Sequence, residues 1–135
     1  MLTLTVKDSF GAADTENFVF AQTGSGPNIT LQGTSGKDVI LATTSQDVLT
    51  GGAAQDQFVF APTPSGPSVQ HTITDFLSGA DKLDVTQFSN ISASALPTET
   101  QQGSDTLITL DSNDTLLLKN FAVVNLHASD FIFHV

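Results

Sequence analysis

The sequence contains no cysteine, arginine, tryptophan or tyrosine, and only four lysines among its 135 residues. Without cysteine there are no disulfides, no thiolate metal sites and no thiol catalysis. The shortage of basic residues excludes the positive surface that nucleic acid or an anionic membrane requires. No apolar run approaches the roughly 18 residues of a membrane helix, and the N-terminus lacks the basic and apolar regions of a cleavable signal. We therefore expect neither a membrane span nor a signal peptide.

Aspartate is abundant instead. Twelve of the 14 acidic residues are aspartate, and the net charge is −10. Such a chain attracts cations, and the short side chain of aspartate suits it to capping turns and ligating calcium from them. The alternative interpretation is that the acidic residues serve only to keep the protein soluble. The 39% hydrophobic content, which includes ten phenylalanines, is enough for the core of one domain.

Short β-branched or aromatic segments, separated by Gly, Pro, Ser, Thr, Asn or Asp, predict an all-β chain. LTLTV at 2–6 and ENFVFA at 16–21 predict an N-terminal hairpin. The polar stretch 89–104 predicts a loop. Further strands are predicted at 71–76, 82–88, 105–110, 115–121 and 130–135, with a hairpin turn at 111–114.

A nine-residue repeat lies in the first half of the chain. Asp38, Asp47 and Asp56 are nine residues apart, and an apolar residue follows each of them two positions later. Leu31 occupies the same apolar position one repeat upstream. The rows are GTSGKDVIL (33–41), ATTSQDVLT (42–50) and GGAAQDQFV (51–59), with apolar positions Ile40, Leu49 and Phe58.

These rows resemble the calcium-binding nonapeptides of the repeats-in-toxin (RTX) family, whose ideal row is G-G-x-G-x-D-x-U-x. The resemblance implies a six-residue turn, a three-residue strand and two rows per full coil. Asp38 should then lie over Asp56, with Asp47 alone on the opposite side. It also implies calcium between stacked turns, at Asp38 and Asp56. Further candidate ligands are Gly33, Gly36, Gly51, Gly52, Asp47, Asp75 and Asp81.

The rows depart from the ideal pattern at several glycine positions. The middle row has no glycine, so a left-handed turn there would cost roughly 1–2 kcal/mol per residue. We expect this row to serve structure rather than metal binding, and the chain to bind between zero and two calcium ions. A phosphate loop and an EF-hand are excluded, because their lysine, glycine and glutamate positions are missing.

The resemblance continues beyond the rows. HTITDFLSGADKLDVTQF (71–88) is similar to the segment that follows the last RTX row, although His71 stands where an acid is usual. Residues 103–133 are similar to the β-rich end of type I secretion target domains. This implies an uncleaved C-terminal signal for an ABC-type exporter. The expected signal residues are Asp130, Phe131, Ile132, Phe133 and Val135.

We predict three segments within an all-β fold. Residues 1–27 form an N-terminal hairpin that resembles the end of a cadherin-like or immunoglobulin-like repeat. Residues 28–61 form a short parallel β-roll, and residues 62–135 form an antiparallel, β-sandwich-like cap with the secretion signal.

The predicted function is that of a C-terminal calcium-binding module of a larger hemolysin- or adhesin-like bacterial protein. We expect a non-enzymatic monomer that is secreted or on the cell surface, with the exporter as partner and no nucleic acid partner. Its three histidines are not at metal spacings, and it has no nucleophile elbow. The alternative is an extracellular surface- or ligand-binding β module in which calcium is absent or only structural.

Overall fold

The computed structural model describes residues 2–7, 13–20 and 29–134, with side chains over 29–134. These ranges contain twelve strands, two short 3-10 helices and no α-helix. The 3-10 helices are Val123–Asn125 and Ala128–Asp130. The strands are β1 (Leu2–Lys7), β2 (Ala13–Phe20), β3 (Ile29–Gln32), β4 (Asp38–Leu41), β5 (Asp47–Thr50), β6 (Gln57–Val59), β7 (Val69–Ile73), β8 (Lys82–Asp84), β9 (Thr98–Gln102), β10 (Asp105–Thr109), β11 (Asp114–Leu118) and β12 (Phe131–Ile132).

The strands form two six-stranded sheets. Sheet one has the order β1-β2-β4-β6-β8-β12, and sheet two has the order β3-β5-β7-β11-β10-β9. From β3 to β8 the chain alternates between the sheets, and neighbours within each sheet are parallel. One full coil therefore takes two strands, which is the geometry of a parallel β-roll. The predicted stacking at 18 residues is confirmed, because Ile40 pairs with Phe58 and Leu31 with Leu49.

The core consists of two apolar columns that run across the sheets, one residue per strand. Burying each of these large side chains contributes about 1.5–3 kcal/mol, so the columns are the main stabilising element of the roll. All of their members are buried in one cluster. The column of sheet one is Ile40, Phe58, Leu83 and Phe131, and that of sheet two is Leu31, Leu49, Ile73 and Leu118.

The predicted fold class is confirmed, and parallel pairing extends further than the sequence indicated. β7, β8, β11 and β12 all join the roll through parallel pairs. Among the described strands of the cap, antiparallel pairing is limited to β9, β10 and β11, and one isolated antiparallel bridge joins Ser92 to Ala95. The reason is that Ile73, Leu83 and Leu118 continue the apolar columns of the repeats.

Two elements differ from the predicted strands. β9 lies in the stretch expected to be a loop, where it pairs with β10 over five residues. β12 is only two residues long, because the 3-10 helix Ala128–Asp130 precedes it. No helix in the described part of the chain is long and apolar enough to cross a bilayer.

The N-terminal strands β1 and β2 are antiparallel, as the sequence predicts. β2 also pairs in parallel with β4, opposite Asp38 to Leu41, and so extends sheet one. The division into segments 1–27, 28–61 and 62–135 stays a prediction.

Candidate metal site at one edge of the roll

Three turns lead from sheet two to sheet one and lie along one edge of the roll. They are residues 33–37, 51–55 and 74–81. We call this the aspartate edge, because it carries Asp38, Asp56, Asp75 and Asp81. Three of these are buried charged residues, at 1% exposure for Asp38, 3% for Asp56 and 4% for Asp81.

Two of the buried aspartates, Asp56 and Asp81, accept a backbone amide from the turn beside them. The amide of Asp38 donates to Oδ1 of Asp56 at 2.9 Å, and the amide of Asp56 donates to Oδ1 of Asp81 at 3.0 Å. Asp75 accepts the amides of Gly51 and Gly52 at 2.9 and 2.8 Å. Asp38 and Asp56 therefore stack as the repeat spacing indicated, and Asp81 continues the stack by one turn.

The turn glycines allow the stacked turns to approach closely. A Cβ on Gly33 would overlap the carbonyl oxygen of Gly51, and one on Gly52 would overlap that of Thr34. A Cβ on Gly51 would overlap the carboxylate of Asp56. Larger residues at these positions would push the turns apart. Gly36, the fourth candidate, donates its amide to Oγ1 of Thr34 at 3.1 Å within its own turn.

Left-handed backbone occurs at other positions than the sequence suggested. In the three rows only Gly52, with φ of 106°, and Ala54, with φ of 77°, lie in that region. Ala54 occupies the fourth position of its row, where the ideal pattern has glycine. The middle row avoids the cost of a left-handed turn, because residues 42–46 contain no positive φ.

Threonine at the second row position replaces part of what glycine would do. Thr34 donates its amide to Oδ2 of Asp38 at 2.6 Å, and its hydroxyl lies 3.1 Å from both carboxylate oxygens. Thr43 binds Asp47 in the same manner, at 2.6 Å through the amide and 3.0 Å through the hydroxyl. The spacing Thr-x-x-x-Asp in both rows was a signal for these contacts that the repeat pattern alone did not provide.

The crowding of buried carboxylates at the aspartate edge affects the pKa of Asp56. Burial raises the pKa of Asp56 to about 6, and the like charges of Asp81, Asp38 and Asp75 act in the same direction. The hydrogen bond from the amide of Asp38 opposes this rise. Burial likewise raises the pKa of Asp81, with Asp75 adding to the effect. The edge therefore favours an added positive charge.

The opposite edge carries Asp47, which the sequence placed there alone. In the structure Asp47 faces the imidazole of His71, brought beside it by the pairing of β5 with β7. The repeat spacing left Asp47 without a stacked aspartate, and the structure places His71 beside it instead. Burial lowers the pKa of His71, which favours the neutral ring, although Asp47 and Asp114 act to raise the pKa. Sequence reasoning noted His71 only as a departure from the family pattern.

The predicted signal residues that the structure describes lie in β12 and directly beside it. Asp130 is fully buried and accepts hydrogen bonds from the hydroxyl of Ser78 at 2.7 Å and the amides of Gly79 and His127, both at 2.9 Å. Burial alone would raise the pKa of Asp130, but these hydrogen bonds outweigh it and lower the pKa. Phe131 is buried, and Ile132 and Phe133 are partly buried. Val135 lies outside the described residues.

Ser78, His127 and Asp130 form a cluster that does not have the geometry of a hydrolase relay. The hydroxyl of Ser78 lies 3.3 Å from Nδ1 of His127 and donates to Asp130, whose carboxylate also faces Nδ1 of His127. Ser78 and Asp130 therefore approach the same ring nitrogen. A relay needs the nucleophile and the carboxylate on opposite ring nitrogens. The cluster therefore serves to anchor the chain end.

The aspartate edge fits a hard cation by its donor chemistry. It presents carboxylates together with the carbonyl oxygens of Thr34 and Gly51, and calcium prefers such oxygen ligands. Among residues 29–134, no cluster of three or more Asp, Glu or His residues could hold a metal ion by its side chains alone. Backbone carbonyls would therefore have to complete the coordination. Calcium accepts carbonyl ligands, whereas zinc sites rarely use them.

The stacked rows, the parallel roll and the acidic edge define an RTX-type β-roll, a class of calcium-binding domains of secreted proteins. Residues 10–135 match the sequence model of the family described as Peptidase M10 serralysin C terminal. The chain belongs to this family of C-terminal domains. Comparison with curated proteins finds no match.

A solved structure with a TM-score above 0.5 supports the fold, and a second shows a weaker likeness. The extracellular lipase LipA from Serratia marcescens has a TM-score of 0.57 and 17% identity over 84% of this chain. The chain spans 20% of the length of that lipase. The AlgE6R3 subunit of the Azotobacter vinelandii mannuronan C5-epimerase has a TM-score of 0.38 and 19% identity, covering 82% of this chain and 80% of that one.

Proposed function

We propose that this chain is the calcium-responsive export and folding module of a larger secreted protein, with calcium at the aspartate edge. The observation that carries the proposal is the buried carboxylate of Asp56, whose pKa is raised to about 6 beside three other aspartates. Bound calcium supplies the positive charge that this edge lacks. Asp56 would hold the ion with Asp38 or Asp81 and the carbonyls of Thr34 and Gly51.

The two stacked aspartates differ in how the protein satisfies them. Thr34 donates to Asp38 from within the same turn, through both its amide and its hydroxyl. Asp56 instead accepts the amide of Asp38, one coil away. The third row has Gly52 at the position of Thr34, so it offers no hydroxyl there. A cation therefore adds most at Asp56.

Calcium would assist folding without being its main cause. At about ten times the dissociation constant, one bound ion stabilises the folded state by roughly 1.4 kcal/mol. Two apolar columns of four buried residues each contribute more than this. We therefore expect a chain that is partly or wholly folded in EDTA and becomes more stable in millimolar calcium.

Calorimetric titration with calcium tests the assignment of the site. Asp56→Asn keeps the size and the acceptor oxygen but removes the charge, so we expect it to weaken calcium binding at least about tenfold, the loss of one charged ligand. Asp47→Asn, with the same charge change at the opposite edge, is the matched control and should bind as the wild type does. Equal weakening in both variants, or no heat of binding in the wild type, would refute the assignment.

The export role is proposed from the family resemblance of the chain end. Asp130 to Phe133 carry the acid followed by apolar residues that the resemblance implies. Fusing the chain to a reporter in a cell with an ABC-type exporter tests this role. Deleting the last fifty or so residues should abolish secretion, whereas Asp56→Asn should leave secretion intact. Secretion without the chain end would contradict the proposal and would leave the calcium site unaffected.

A second candidate function is the binding of a surface ligand, which one cavity favours. Turn 42–46 and loop 62–69 line a cavity of about 590 Å³ on the opposite edge. Its lining is rich in hydroxyl and amide groups, contributed by Thr44, Ser45, Gln46, Thr63, Ser65 and Ser68. A glycan array with the wild type and a Thr44→Val, Ser65→Ala double variant tests this function. Binding that the double variant loses would favour it.

A further inference from the structure

A buried histidine and two buried aspartates lie at the opposite edge of the roll. His71 is 1% exposed, Asp47 is 1% exposed and Asp114 is 0% exposed. Nδ1 of His71 is buried, lies 3.5 Å from Oδ2 of Asp47 and has no well-aligned hydrogen bond. The ring also packs against Phe60, with the two centroids 5.4 Å apart. A ring held in this way cannot turn to find another partner without opening the core.

The proton on this ring must be on Nδ1. A carboxylate is an acceptor only, and a neutral imidazole has one donor nitrogen and one acceptor nitrogen. If Nδ1 carried the lone pair, two buried acceptors would face each other, at a cost of roughly 1–3 kcal/mol. The opposite tautomer makes a donor of Nδ1, and a small rotation completes its hydrogen bond to Asp47.

Protein donors also satisfy the other oxygens of this edge. Asp47 accepts the amide and hydroxyl of Thr43. Asp114 accepts the amide of Thr63 at 2.7 Å and also its hydroxyl. Both aspartates thus take two donors from a threonine. For Asp47 the remaining contact is His71, at the position where the related segment has an acid.

We infer that the Nδ1–H of His71, rather than a metal ion, satisfies the remaining hydrogen-bonding capacity of Asp47, so that this edge of the roll folds without calcium. The two edges then divide their tasks. The aspartate edge responds to calcium, and the opposite edge is complete from the moment β7 pairs with β5. This inference does not depend on the proposed function, because it concerns a contact that should exist in EDTA.

The tautomer of His71 in the wild-type chain is the direct test. Long-range ¹⁵N–¹H correlation of histidine-labelled protein at pH 7 in EDTA distinguishes Nδ1–H from Nε2–H. We expect His71 to be neutral with the proton on Nδ1, and its signals to be unchanged by millimolar calcium. The Nε2–H tautomer, or a shift of the Nδ1 signal on adding calcium, would overturn the inference.

Substitutions give an independent test through thermal melts in EDTA. Asn presents an N–H near the position of Nδ1, whereas Leu fills similar space without a donor. We therefore expect His71→Asn to melt at least about 3 °C above His71→Leu. His71→Asp would place two carboxylates together, so its calcium-induced shift should be roughly twice that of the wild type. The inference is refuted if His71→Leu is as stable as His71→Asn. It is also refuted if calcium shifts the midpoint of His71→Asp no more than that of the wild type.

Discussion

At the scale of single residues, Ala54 stands where the ideal row has glycine, and its backbone adopts a conformation that favours glycine. Its φ of 77° lies in the left-handed region, where a Cβ clashes with the following carbonyl oxygen. The neighbouring Ala53 has no such conformation. The row therefore contains one strained alanine and one relaxed alanine side by side.

Ala54→Gly should stabilise the chain by about 1 kcal/mol, because it removes the clash and loses less than that in backbone entropy. Urea denaturation in EDTA measures the change. Ala53→Gly is the matched control and should destabilise by roughly 0.5–1 kcal/mol. A loss of stability in both variants would show that the turn is not strained at Ala54.

Asp56 is a second residue in an unfavourable setting, because its carboxylate is buried beside like charges. Its folded pKa of about 6 lies above the ordinary value of 3.8. Between these two pH values the folded chain holds a proton that the unfolded chain has released, so the stability contributed by Asp56 falls as pH rises through this window. The cost of ionising Asp56 in the folded chain is on the order of 2–3 kcal/mol.

Asp56→Asn should therefore gain stability over the wild type as pH rises from 4 to 7 in EDTA, by on the order of 2 kcal/mol. The difference between the two free energies of unfolding isolates this residue from the other acids. Asp111→Asn, in the turn between β10 and β11, controls for the change in net charge. The same pH dependence in both variants would assign the effect to the overall charge instead.

At the scale of elements, the short strand β12 depends on an anchor outside itself. Two residues of parallel pairing with β8 cannot hold a chain end, but Asp130 binds Ser78 and the 3-10 helix that precedes the strand. Lys82 adds a 2.7 Å hydrogen bond from Nζ to the carbonyl of Ser129. The chain end is therefore attached through the turn 74–81.

Asp130→Ala should cost about 2–3 kcal/mol, because it removes three hydrogen bonds to a buried carboxylate. Amide exchange should then increase selectively in residues 127–134. Ser129→Ala, an exposed side chain in the same helix, should leave both stability and exchange unchanged. Uniform loss across the roll would contradict the local role of Asp130.

The strand β9 shows why one element could not be predicted. Its sequence, TETQQ, has no apolar alternation, because both of its faces are largely exposed at the end of sheet two. Only hydrogen bonds to β10 define it, and these depend on the turn at Gly103, whose φ is 63°. Polar edge strands of this kind have no signal in hydrophobic periodicity.

At the scale of the whole molecule, the nine-residue spacing predicted the roll because an apolar column needs one inward residue per strand. The same spacing identified Asp38 and Asp56 as neighbours. It could not show that Thr34 satisfies Asp38, or that His71 meets Asp47. The first contact depends on the turn conformation, and the second joins residues 24 positions apart through strand pairing.

The two edges of the molecule therefore have different chemistry on one shared core. One edge concentrates buried aspartates that take backbone amides from adjacent coils. The other satisfies its aspartates with threonine and histidine hydrogen-bond donors. On the proposed function, calcium acts at the aspartate edge, while the apolar columns and the opposite edge hold the fold.

Thermal melting of the wild type in EDTA and in millimolar calcium, beside Asp56→Asn under both conditions, is the most direct test of this account. The account predicts that calcium raises the wild-type midpoint by about 3–6 °C, the equivalent of roughly 1.4 kcal/mol for a domain of this size, and that Asp56→Asn loses this rise. Coincident wild-type melts in EDTA and calcium would contradict it.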